Sequence, residues 1–189
     1  MRIVKLLGTV GAAALLAAAV SMPANSAEMA NTQLKDSSGK AVGDVDLMQT
    51  PAGVLIKLQI KGLPPGEHAF HVHAVGKCEA PFESAGPHFN PGNHKHGMMS
   101  GEGHAGDMPN LHVPQSGELS VEVVNSAISL EQGKPNSVFD SDGSALVVHA
   151  KADDYKTDPA GNAGDRIACG VIQQSGASST VGSSPAPAK

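Results

Sequence analysis

Nine histidines stand out in a chain that has one tyrosine and no tryptophan. Eight of them fall between His68 and His112, and the ninth is His149. His71 and His73 flank a single valine inside EHAFHVHA, a segment with strand character. Side chains two apart on a strand share a face, with Cα atoms roughly 6.5 Å apart, so both imidazoles can converge on one ion. His88, His96 and His104 follow in a glycine-rich stretch, with Asp107 three residues after His104. Three imidazoles and one carboxylate match a closed four-coordinate zinc site, and glycine lets backbone fold tightly around a small ion. His149 ends the apolar run Leu146-Val147-Val148. A lone histidine there is more often a satisfied core residue than a ligand, but this one could complete the pair from His71 and His73. Imidazole suits both copper and zinc. An isolated His-x-His, or a His-rich surface loop, would carry little weight. The weight here comes from the aspartate beside one histidine and the cysteine near the start of the stretch.

Such residues need a frame to hold them. Apolar–polar alternation marks strands at 41–48 (AVGDVDLM), 54–60 (VLIKLQI), 119–124 (LSVEVV) and 145–150 (ALVVHA), with shorter candidates at 32–35, 67–74 and 166–172. Turn-forming residues separate them, among them Pro51-Ala52-Gly53, Pro64-Pro65-Gly66 and Asp142-Gly143. No long 3.6-residue stripe occurs. The pattern predicts an all-β domain of seven or eight short strands, a sandwich or Greek-key barrel. Two long loops, 76–115 and 151–165, have little strand character, and long ordered loops in a compact domain are more often functional than idle.

The ends read differently. Arg2 and Lys5 precede an uncharged run from Leu6 to Val20, and small residues follow in Ala24-Asn25-Ser26-Ala27. That is the pattern of a secretory signal peptide over residues 1–27, with cleavage after Ser26 or Ala27. The apolar run is short for a membrane span. The domain then occupies 28–173, and a Ser/Gly/Ala/Pro-rich tail over 174–189 is expected to be disordered. Without residues 1–27 the chain has 11 basic against 18 acidic residues, a net charge of about −7. It offers no basic stripe for nucleic acid, and no membrane partner is expected once the signal is removed. An anionic substrate would need a local positive spot. The two cysteines, Cys78 and Cys169, read as a disulfide in an exported protein, against the alternative of two buried thiols. Closing a loop of that length stabilises by about 4–5 kcal/mol in the chain-entropy model.

Six pieces in order resemble the copper–zinc superoxide dismutase family: Phe70-His71-Val72-His73, Gly86-Pro87-His88-Phe89-Asn90-Pro91, Lys95-His96-Gly97, Gly103-His104-Ala105-Gly106-Asp107, Val147-Val148-His149 and the run from Gly161 to Ile172. The likeness covers roughly residues 30–172. Export and a short second loop resemble the bacterial periplasmic branch, with an extracellular location as the alternative. The resemblance implies an eight-stranded Greek-key β-barrel with two long functional loops. It implies copper held by His71, His73, His88 and His149, and zinc held by His88, His96, His104 and Asp107, with His88 shared. It further implies that Asp153 ties His71 to His96, that Cys78 and Cys169 are paired, and that Arg166 offers an anion its guanidinium beside copper.

The implied activity converts two superoxide anions and two protons to dioxygen and hydrogen peroxide. Copper is alternately reduced and oxidised, and His88 takes a proton when it parts from copper. A non-catalytic periplasmic copper- and zinc-binding protein is the competing reading. The resemblance leaves monomer and homodimer both open. It also leaves the residues that steer superoxide unassigned, with Lys77 and Lys95 as the candidates. His68 resembles a histidine that braces the barrel. His94, Met98, Met99 and His112 fall outside the motifs.

Overall fold

A computed structural model describes residues 28–99 and 101–175. The expected signal peptide, and the tail beyond Ser175, lie outside them. Among the described residues ten antiparallel strands form: β1 (Met29–Asp36), β2 (Ala41–Thr50), β3 (Gly53–Lys61), β4 (Gly66–His68), β5 (Phe70–His73), β6 (Leu111–Val113), β7 (Glu118–Asn125), β8 (Ala145–His149), β9 (Arg166–Val171) and β10 (Gln173–Gln174). One 3-10 turn, Glu83–Ala85, is the only helical piece among them.

The main sheet runs in the order β5-β8-β9-β1-β2-β3-β7, with β10 added to β1, while β4 pairs with β6. β4 and β5 are one bent strand broken at Ala69, and β6 lies against β7. Counted that way, and with β10 as an extension, the curled sheet has the eight strands of a Greek-key barrel. The segment 67–74 therefore serves two neighbours: β4 pairs with β6, and β5 with β8. β6 sits inside a stretch read from sequence as loop. Three residues, Leu111-His112-Val113, are too few to show period two against a Gly/Pro-rich background. Likewise β10 and Ser175, which donates its N–H to the Met29 carbonyl, carry the ordered chain two residues into the expected tail.

Period-two alternation explains the core. In register, Val45 pairs with Leu58 and Leu47 with Ile56, and all four are buried. Burying a branched aliphatic side chain contributes about 1.5–3 kcal/mol. β8 is buried on both faces. Leu146 and Val148 join Phe70 and Val72 in the main core, while Ala145 and Val147 pack outward against Phe82, Ala85 and Cys169. This second small core sits around the Cys78–Cys169 disulfide, which joins residues 91 apart and pins the first long loop to β9. No helix among the described residues is long and apolar enough to cross a membrane.

We expect the double variant Cys78→Ser/Cys169→Ser to lose about 2–5 kcal/mol of unfolding free energy. The measurement is the urea midpoint of the metal-free protein at pH 7. An unchanged midpoint would mean that the small core, not the covalent tie, holds the loop.

Candidate metal centre

β5 positions the first two rings. Phe70 and Val72 face the core, so His71 and His73 face the other way, yet both are fully buried. They are buried because the first long loop lies along the free edge of β5. Ala74 N–H donates to the Pro87 carbonyl at 2.9 Å, Phe89 N–H to Val72 O at 2.8 Å, and Val72 N–H to Gly106 O at 2.9 Å. This brings His88 opposite His73. Gly106 permits that approach, since a Cβ there would run into the Val72 carbonyl oxygen. β8 pairs with β5 so that His71 opposes Val147 and His73 opposes Ala145. His149, two residues on from Val147, points to the same side.

The ligand atoms of His71, His73, His88 and His149 all lie within 4.8 Å of one another. The same holds for His88, His96, His104 and Asp107, so His88 belongs to both sets. The hydrogen bonds of each ring show which nitrogen is free. His73 donates from Nδ1 to the Gly86 carbonyl at 2.9 Å, and His149 from Nδ1 to the Gly164 carbonyl at 3.3 Å. Their Nε2 atoms are left facing each other at 3.3 Å. His71 donates from Nε2 to Asp153 Oδ2 at 2.8 Å, which leaves its Nδ1 buried with no hydrogen-bond partner. His88 Nε2 is also buried and without a partner. Carbonyl and carboxylate oxygens only accept, so four imidazole lone pairs converge on one dry point. Unpaired polar atoms of this kind are costly unless an ion takes them up.

The second set centres on Asp107. Its Oδ1 lies 3.0 Å from His88 Nδ1, 3.0 Å from His96 Nδ1 and 3.6 Å from His104 Nδ1. Its Oδ2 accepts the N–H groups of Gly97 and His104, each at 2.9 Å. Asp153 joins the two sets, since its second oxygen accepts from His96 Nε2 at 3.0 Å. Gly161 leaves room for that carboxylate; it has φ +63°, and a Cβ there would collide with Asp153 Oδ1. Both donor sets, nitrogen with one carboxylate, fit copper and zinc.

One support of the site, Asn110, carries only a faint sequence signal. Asn110 pairs its side chain with the Asp153 backbone, donating to the carbonyl at 3.0 Å and accepting from the N–H at 2.8 Å. Its own N–H donates to the Tyr155 hydroxyl at 2.7 Å. A polar residue inside Met108-Pro109-Asn110-Leu111 was the available clue. Arg166 is the cross-strand neighbour of His149. It donates from its two terminal nitrogens to Phe82 O at 2.7 Å and Gly86 O at 2.8 Å. An open cleft of about 910 Å³ lies over His88 and Arg166. His68 spans Pro64 O and His149 O, and so braces the end of β8. His94 sits 3.2 Å from Glu102, and His112 3.3 Å from Glu67, both outside the two donor sets.

Burial sets the electrostatics. It lowers His71 to about 4 and His149 to about 3, and holds His73 well below the ordinary imidazole value. Burial also opposes charge on His96, but the hydrogen bonds to Asp107 and Asp153 outweigh it and raise this ring to about 9. Both carboxyls are desolvated too, yet their histidine partners keep them well below the usual range. The signs then follow by linkage. Four rings with depressed values, His104 among them, contribute stability that is fully present above about pH 6.5 and lost as pH falls. His96 contributes in the opposite sense, fully below about 6.5 and lost as pH rises through 9. Four outweigh one, so the unfolding free energy of the metal-free protein is expected to fall by at least about 2 kcal/mol between pH 7 and pH 5. Urea titrations at the two values check this, and equal stability at both would contradict it.

Comparison with known proteins identifies the family. A family model described as copper/zinc superoxide dismutase (SODC) matches residues 41–172. "Superoxide dismutase [Cu-Zn] 1" of Aquifex aeolicus is 51% identical over 146 residues, covering 76% of this chain and 86% of that protein. "Superoxide dismutase [Cu-Zn]" of Caulobacter vibrioides is 42% identical over 149 residues, covering 76% and 85%. The crystal structure of a SOD-like protein from Bacillus subtilis is similar at TM-score 0.72 and 41% identity, over 75% of this chain and 96% of that one. The chain belongs to the copper/zinc superoxide dismutase family.

Proposed function

We propose that this protein is an exported superoxide dismutase, converting two superoxide anions and two protons to dioxygen and hydrogen peroxide. The observation that carries the reading is the convergence of four imidazole nitrogens whose opposite ring nitrogens face Gly86, Gly164, Asp153 and Asp107. In this reading His71, His73, His88 and His149 hold copper, and His88, His96, His104 and Asp107 hold zinc. Copper so bound supplies one-electron chemistry, and zinc, which keeps one oxidation state, shapes the site.

The remaining roles belong to the chain. Arg166, its plane fixed by two carbonyls, presents its other N–H groups to a small anion. His88 faces Asp107 through Nδ1, so Nε2 is the atom free to hold a proton and hand it to product. Asp153 keeps His71 and His96 in fixed tautomers, which orients both donor sets. The first long loop, tied by Cys78–Cys169, seals β5 from water.

The competing reading, a copper- and zinc-binding protein without turnover, accounts for the donors. It gives no reason for a guanidinium braced at two carbonyls beside His149. We further propose that residues 1–27 are removed on export, after Ser26 or Ala27, and that the protein works in the periplasm. In this reading the catalytic domain takes in β10 and Ser175, both bonded to β1.

The test is dismutation by the mature protein loaded with both metals. His149→Ala is expected to abolish turnover and copper uptake while one zinc per chain stays bound, as read by metal analysis. Substantial activity in that variant would remove His149 from the copper set. Intact mass of the secreted protein locates the cleavage point.

A further inference from the structure

Each ring of the second donor set turns one nitrogen inward and one outward. The inward atoms are the Nδ1 atoms of His88, His96 and His104, which lie 3.0, 3.0 and 3.6 Å from Asp107 Oδ1. The outward nitrogen of His88 belongs to the other donor set, and that of His96 donates to Asp153 Oδ1 at 3.0 Å. The outward nitrogen of His104, Nε2, faces Asp158, whose Oδ1 is 3.9 Å away. That same oxygen accepts the main-chain N–H of His96 at 2.7 Å. The next N–H along, that of Gly97, donates to Asp107 Oδ2 at 2.9 Å, so two carboxylates hold successive N–H groups of this stretch. Asp158 lies in the second long loop, outside all six motif pieces, and it reaches across to two zinc-set residues of the first. The His104 side chain is 8% exposed and that of Asp158 is 53% exposed.

We propose that Asp158 is a positioning residue for zinc: one carboxylate oxygen fixes the His96 backbone and gives the outward nitrogen of His104 an anionic neighbour. The proposal rests on the reading that His88, His96, His104 and Asp107 hold zinc, and deepens it. A ligand imidazole whose outer N–H faces a carboxylate keeps one tautomer and donates more strongly to its ion. Asp153 does this for His96 by a direct hydrogen bond. Asp158 does it for His104 at longer range and against water, so its electrostatic share is the smaller one. Its second hold is direct, because a backbone N–H bonded to a carboxylate makes a charge-assisted bond. Together the two holds set how far apart His96 and His104 stand.

The experiment titrates the mature, copper-loaded chain at pH 7 with zinc against a competing chelator. A parallel titration uses cobalt(II), whose visible bands report the geometry of a four-coordinate site. Asp158→Asn keeps an oxygen to accept the His96 N–H but removes the charge. It should weaken zinc binding roughly tenfold, the low end of what losing such a partner costs, and shift the cobalt bands. Asp158→Ala removes both holds and should weaken zinc binding further, by roughly thirtyfold or more. The urea midpoint of the metal-free Asp158→Asn protein should stay close to that of the parent. Parental zinc affinity and cobalt bands in Asp158→Asn overturn the proposal. So does a loss of zinc affinity matched by an equal loss of metal-free stability, which would make Asp158 a brace for its loop alone. Neither titration reads turnover. A parent that binds both metals but does not dismute superoxide would sink the dismutase reading and leave this test standing, whereas a parent that takes up no zinc overturns both.

Discussion

Burying many imidazoles side by side is the constraint that the rest of the structure answers. His71, His73, His88, His96 and His149 are all at most 5% exposed and crowd one side of β5 and β8. Each ring has two polar nitrogens, and removing an unpaired one from water costs about 1–3 kcal/mol. The chain meets this by committing one nitrogen of four rings, and both nitrogens of His96, to fixed acceptors. Gly86 O, Gly164 O, Asp153 and Asp107 fill that role. The nitrogens that remain on His71, His73, His88 and His149 converge on one point, while the Nδ1 atoms of His88, His96 and His104 gather around Asp107 Oδ1. His88 alone belongs to both donor sets.

The two long loops exist to supply those acceptors. The first closes the edge of β5 through main-chain hydrogen bonds, a register in which Gly106 takes part. The second delivers Asp153 and holds its own shape through Asp154, whose carboxylate accepts from Lys156, Thr157 and Asn162 and is held down to about 2 by these bonds. Two adjacent aspartates thus do different work: one ties imidazoles together, and the other ties its own loop.

Much of this was legible in the sequence. The strands of the core were readable because Val45, Leu47, Ile56 and Leu58 alternate with polar residues, and alternation follows from the pleat. The donors were readable because histidine is costly to bury and rare, so its clustering needs a cause. What escaped has a common reason. β6 and β10 are too short to display a period. Asn110 is one amide among many, and its value comes from meeting Asp153, 43 residues away. The acidic residues that line the cleft come from separate segments, at Glu83, Asp140 and Asp158, and only the fold brings them together. Spacing along the chain carries local geometry well and long-range juxtaposition poorly.

One oxygen in the first loop links two duties. The Gly86 carbonyl accepts from His73 Nδ1 at 2.9 Å and from Arg166 at 2.8 Å. A peptide plane can tilt toward one donor only by turning from the other. The His73 ring and the Arg166 guanidinium therefore share a single mechanical pivot, and a substitution that turns either one shifts its partner.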